Sequence, residues 1–178
     1  MKRYVLVGIA VLAAACGSSP SSPSNSQPNT VVFTAALAAS NEVPPITNAD
    51  QNVKGNATIT FHLTRDSAGA ISAATVDFVY SLNSFPAGTQ VILTHIHEGG
   101  PNVAGGVKVN SGLTAANAIT LADGSTNNIT FSGLTGAAFG SEGLPIIQRI
   151  IDNPNGFYFN VHTTINPGGA VRAQLVRQ

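Results

Sequence analysis

The sequence predicts an all-β fold of two packed antiparallel layers with one short helix, and three observations carry that reading. Val, Thr, Ala, Gly and Asn dominate a chain with no Trp and a single Met, which suits strands joined by turns better than a helical bundle. Several segments alternate apolar and polar residues with a period of two. One segment, Thr89 to His97, is apolar on both sides, as expected of an interior strand between layers.

Taken in order, Val31 to Leu37 reads as a first strand, stopped by Pro44 and Pro45, which cannot donate to a ladder. Gly55 to Thr64 sets Ala57, Ile59, Phe61 and Leu63 against Thr58, Thr60, His62 and Thr64, a half-buried strand on which His62 falls on the solvated face. A turn at Arg65 to Gly69 leads into Ile71 to Tyr80, completing a hairpin. After a loop through Pro86, the interior strand is expected to place Val91 and Leu93 on one face with His95 and His97, and Ile92, Thr94 and Ile96 on the other. Gly106 to Asn110 is a short strand. Ala118 to Leu121 and Asn128 to Phe131, around Asp123-Gly124, are expected to form a second hairpin. Leu144 to Asn153 carries the one helical signal: Pro145 suits the first helical position, Ile146, Ile147, Ile150 and Ile151 recur at helical spacing, and Pro154 closes it. The last hairpin joins Gly156 to Thr163 with Ala170 to Val176. Matching apolar faces puts His162 on the side of Arg172, near Asn160 and Gln174.

The beginning of the chain has a different character. Lys2 and Arg3 precede the apolar run Tyr4 to Leu12, and Ala13-Ala14-Ala15-Cys16-Gly17 follows, the pattern of a secretory signal over residues 1–15. The run is too short for a mature membrane span. The only cysteine stands directly after the small residues and resembles the lipobox of bacterial lipoproteins, in which the Cys becomes the lipidated N-terminus. The expected address is therefore the bacterial cell envelope, with a lipid anchor at Cys16 and the protein facing the periplasm or the exterior. Residues 16–30 are Ser, Pro and Asn around that Cys and read as a flexible tether, with the domain proper at 31–178.

Charge narrows the function classes. Charged residues make up 9% of the chain and the formal net charge is zero. Removal of Lys2 and Arg3 from the eight basic residues leaves six against eight acidic ones. No basic stripe for nucleic acid is present. No Gly-rich phosphate loop precedes a helix, no thiol remains for nucleophilic catalysis, and no carboxylate pair is placed for acid/base work.

The chemistry-bearing stretch is Val91 to Pro101. Alternation on a strand sets His95 and His97 side by side on one face, their Cα atoms roughly 6.5–7 Å apart, so that two imidazoles can converge on one ion. Glu98, Gly99, Gly100 and Pro101 follow at once, which places the pair at a strand end open to solvent. His162 is the candidate third ligand, and three imidazoles suit one Zn²⁺ or Cu²⁺ with a fourth position for water. Glu42 is a candidate to orient a histidine through its second nitrogen. Arg172 is a candidate to steer an anion. The competing account gives these histidines hydrogen bonds to the Glu42 loop or to Asn160, fixing how two sheets meet.

Asn41-Glu42-Val43-Pro44-Pro45, His95-Ile96-His97-Glu98-Gly99, Phe157 to Thr163 and Gly169-Ala170-Val171-Arg172 together resemble, in order, the marks of the CHRD domain. That repeat is named after the animal protein chordin and also occurs singly in exported bacterial proteins. The resemblance runs from about Val31 to Val176, with Ala173 standing where the family usually has Gly. It implies an immunoglobulin-like β-sandwich distantly similar to the copper/zinc superoxide dismutases. Set against the dismutase pattern, His95, His97 and His162 match three copper ligands, while the bridging His and the zinc loop have no counterpart. The resulting expectation is a non-enzymatic envelope binding module that can take one Cu or Zn ion, with an unidentified envelope or extracellular ligand. A copper enzyme of dismutase type and a purely structural envelope protein stand as alternatives.

Overall fold

The computed structural model describes residues 27–178, so the signal segment, Cys16 and most of the tether lie outside the described residues. Among the described residues there are ten strands: β1 (Thr30–Ala38), β2 (Lys54–Arg65), β3 (Ile71–Asn83), β4 (Thr89–Glu98), β5 (Val107–Asn110), β6 (Ile119–Leu121), β7 (Thr126–Leu134), β8 (Phe157–Thr163), β9 (Val171–Gln174) and β10 (Val176–Arg177). They pair antiparallel in the order β5-β4-β8-β9-β1-β2-β3-β7, with β6 also on β4 and β10 also on β1. The sheet curls over itself, so that β5, β4, β8 and β9 face β1, β2, β3 and β7, the all-β sandwich the sequence predicts.

The two layers meet on aromatic side chains. Phe159 of β8 is fully buried and lies 5.7 Å from the Phe78 ring and 5.4 Å from the Tyr80 ring of β3. Within the second layer Phe33 meets Phe61 edge-on at 6.0 Å. The alternation read on β2 holds residue by residue: Ala57, Ile59, Phe61 and Leu63 are buried. His62 on the other face is about half exposed and bonds Asp77 at 2.9 Å. The helix α1 spans Pro145–Asp152, opens on Pro145, and buries Ile146, Ile147, Ile150 and Ile151.

Three local expectations are corrected. Ala118 to Leu121 and Asn128 to Phe131 do not form a hairpin: β6 pairs with β4 while β7 pairs with β3. The turn between them crosses from one layer to the other. It is held there by the β3–β4 loop, through Phe85 N–H to the Gly124 carbonyl and Gly88 N–H to that of Leu121. The expected last strand Ala170 to Val176 is broken at Leu175, whose N–H goes to Phe157, so β9 pairs with β8 and, at Arg172, with Ala38 of β1, while β10 pairs with β1. On β4 the register shifts between Val91 and Leu93. Such a bulge reverses the alternation: Val91 turns into the core, opposite Thr163, and only Leu93 shares the histidine face.

Replacing Phe159 by Ala removes the ring that joins both layers, and the expected loss is about 3–5 kcal/mol. Urea denaturation checks it, with a lowered midpoint and an unchanged slope.

Candidate metal centre

The site follows from the pairing of β4 with β8 and of β8 with β9. His95 lies opposite Asn160, His97 opposite Tyr158 and Leu93 opposite His162. On the next strand Arg172 lies opposite Asn160 and Gln174 opposite Tyr158. Because alternate residues share a face, His95, His97, Tyr158, Asn160, His162, Arg172 and Gln174 all emerge on one side of this layer. The other side carries Ile96, Phe159, Val161 and Val171 into the core.

That polar side is covered by loops. His95, His97, Asn160, His162 and Arg172 are between 2% and 7% exposed, beneath residues 40–48, 99–105 and 164–169. Burial of so many polar groups demands partners, and the loops supply them from their backbone. His97 Nδ1–H donates to the Gly105 carbonyl at 2.9 Å, and His162 Nδ1–H donates to the Pro167 carbonyl at 2.9 Å. A carbonyl only accepts, so each bond fixes the proton on Nδ1 and leaves Nε2 as a bare lone pair. Those two Nε2 atoms, and Nδ1 of His95, are buried with no hydrogen-bond partner. One ring nitrogen from each of the three lies within 4.8 Å of the others, and the ring centroids are 5.2–5.5 Å apart.

The neighbours hold these rings still. Tyr158 stacks on His97 at 5.0 Å with the planes 9° apart, and its hydroxyl accepts from Gly105 N–H at 3.0 Å. Position 105 has no room for a side chain, since a Cβ there would stand 1.5 Å from the Glu98 carbonyl oxygen. Arg172 spreads its guanidinium 4.1 Å from the Tyr158 ring centre and donates to the Val103 carbonyl at 3.0 Å. Glu42 is buried beside Gly169, where a Cβ would meet its carboxyl and the Asn160 amide at 2.7–2.9 Å. Burial pushes the Glu42 carboxyl up to about 7, against the opposing pulls of Arg172 and Asn160.

The sequence-derived candidates thus divide into two sets. His95, His97 and His162 come together. Glu42, Asn160 and Arg172 form a second polar group beside them, in which Glu42 faces Asn160 and Arg172 while the outer nitrogens of His97 and His162 go to backbone carbonyls. Arg172 is buried against Tyr158, a position unsuited to steering ions from solution. Glu98 turns outward into a surface network with Lys108 (3.2 Å), Arg149 and Glu142. His62 stands apart on β2. Sequence reasoning missed Tyr158 and the carbonyls of Gly105 and Pro167. The Asn166-Pro167 pair marks a turn, but which carbonyl such a turn aims inward has no sequence signature.

The family comparison agrees with this architecture. The CHRD domain model matches residues 33–175, and the chain belongs to the CHRD domain family. No curated protein and no solved structure gives a match. Three histidines held this close are compatible with a metal ion, and the domain is compatible with a binding module.

Burial holds the imidazoles of His95 and His97 down at about 4, with the neighbouring rings adding to the effect, and lowers that of His162 as well. In the unfolded chain they titrate near 6.5. Their contribution to stability is therefore complete above pH 6.5 and is lost as pH falls towards 4, because the unfolded state takes up protons first. Glu42 acts in the opposite sense, contributing below pH 4.5 and losing that contribution as pH rises through about 7. With three imidazoles against one carboxyl, the metal-free protein is expected to unfold at lower urea at pH 4.5 than at pH 7. A His95→Ala/His97→Ala double variant should flatten that difference.

Proposed function

We propose that this chain is an exported, lipid-anchored binding module of the cell envelope whose CHRD domain is organised by one divalent ion, zinc or copper, on His95, His97 and His162. The observation that carries the metal reading is the set of three buried, unpartnered ring nitrogens, two of them stripped of their proton by a backbone carbonyl on the far side of the ring. A buried polar atom without a partner is costly, and an ion would satisfy all three at once. Backbone carbonyls on the outer nitrogens are the usual support for a ligating imidazole. Bound there, Zn²⁺ would link β4 to β8, and Cu²⁺ would add redox capacity.

Access favours binding over catalysis. The three histidines are 5–7% exposed. Neither the groove between Glu42–Asn48 and Ile165–Gly169 nor the one over Arg172 and Gln174 is lined by any of the three. A dismutase needs an anion to reach the ion repeatedly, and Arg172, the residue placed to guide it, is turned onto Tyr158. Export and anchoring rest on the signal pattern and on Cys16 directly after Ala13-Ala14-Ala15.

Titration of the untagged protein with Zn²⁺ and Cu²⁺ is expected to show one tight site, absent in the His95→Ala/His97→Ala variant. Saturation at about 1,000 times Kd should add about 4 kcal/mol of stability, removed by chelator. Absence of binding by either ion would refute the metal reading, and metal-dependent superoxide turnover by the loaded protein would restore the enzymatic one. For the anchor, Cys16→Ser is expected to move the protein from the membrane to the soluble fraction of the expressing bacterium.

A further inference from the structure

Beneath the loop that holds His162 lies a cluster that the three-histidine reading leaves unused. Asp50 is fully buried, and its Oδ2 accepts from Asn166 Nδ2 at 2.5 Å while its Oδ1 has no partner. Asn48 Nδ2 donates to Asn166 Oδ1 at 2.8 Å, and Asn48 Oδ1 accepts from the Asp50 N–H at 3.0 Å. A carboxylate buried with half its acceptor capacity idle is an expensive way to stabilise a surface turn. Its one side-chain partner, Asn166, is the residue that shapes residues 163–169. The Asn166 N–H donates to Thr163 Oγ1 at 3.0 Å, and its carbonyl accepts from the N–H groups of Thr163 (3.2 Å) and Gly169 (3.1 Å). The next residue, Pro167, presents its carbonyl to His162 Nδ1.

We infer that Asp50 and Asn166 are positioning residues for the third imidazole: the Asp50–Asn166 bond fixes the turn, the turn aims the Pro167 carbonyl, and the carbonyl holds His162 in the tautomer whose Nε2 faces the other two histidines. Asn48 braces the same amide from the outside and is itself exposed. The inference builds on the metal reading, but its structural half concerns the His162 proton alone and stands in the metal-free protein.

The test compares the full chain with its Asp50→Ala, Asp50→Asn, Asn166→Ala and Asn48→Ala variants. The readouts are ¹H–¹⁵N correlation of the imidazole nitrogens without metal, Co²⁺ absorption and Zn²⁺ affinity with it, and a thermal melt for folding. In the parent, His162 is expected as a single Nδ1–H tautomer. Asp50→Ala and Asn166→Ala should mix the tautomers and weaken Zn²⁺ binding about 10–100-fold, with an altered Co²⁺ spectrum. Asp50→Asn keeps an acceptor for Asn166 and should restore most of both. Should the first two variants not fold, Asn48→Ala carries the test, with a smaller shift of the same sign. A pure Nδ1–H tautomer and parental affinity in folded variants would overturn the inference. A parent that binds no metal, with tautomers that still mix on substitution, would sink the metal reading and leave the positioning role intact.

Discussion

The registry between β4 and β8 is the constraint on which the site depends. Pairing His95 with Asn160 and His97 with Tyr158 brings the three imidazoles onto one face, and the same pairing sends Ile96 and Phe159 into the core. A slip of one residue would exchange the faces, exposing Phe159 and driving charged and polar groups inward. The hydrophobic core therefore enforces the geometry of the histidines. The bulge at Ile92 belongs to the same arrangement: beyond it Val91 rejoins the core, at the end of the strand that β6 and the 163–169 turn meet.

The second constraint is solvation. A sheet face rich in His, Asn and Arg would ordinarily look into water, yet here it is covered by three loops. Each loop satisfies one part of what it buries: residues 99–105 take His97 and Arg172, residues 164–169 take His162, and residues 40–48 bring Glu42 to Arg172. The loops close on the outer nitrogens of His97 and His162 and leave the inner ones, with His95 Nδ1, unsatisfied. An architecture serving only to join sheets would gain by pairing those inner atoms too.

Much of this was legible in sequence, and the remainder follows a pattern. Period-two alternation in β2 and β8, the His95-x-His97 spacing, the Ile stripe of α1 and the shared face of His162 and Arg172 across one hairpin are short-range properties that survive folding. The bulge at Ile92, the break at Leu175 and the separation of β6 from β7 depend on which strand arrives as partner, which no local pattern encodes. The same holds for the Gly105 and Pro167 carbonyls and for the Asp50–Asn166 bond, whose partners are 116 positions apart. Glu42 was read as a residue that orients a histidine, but its neighbours are Asn160 and Arg172, and the outer nitrogens of His97 and His162 bond backbone carbonyls instead.

The direction of β1 has a consequence for presentation. Its first residue, Thr30, lies at the end where Gln178 bonds Val32 and Thr34, and its last, Ala38, pairs with Arg172 beside the histidines. The eight steps between the ends of this nine-residue strand, at about 3.3 Å each, separate them by roughly 26 Å. An attachment through the residues before Thr30, such as the lipid anchor proposed above, would thus meet the domain at the pole opposite the histidine loops. Under the proposed anchor, those loops would be the part of the domain farthest from its attachment, and the part a neighbouring molecule would meet first.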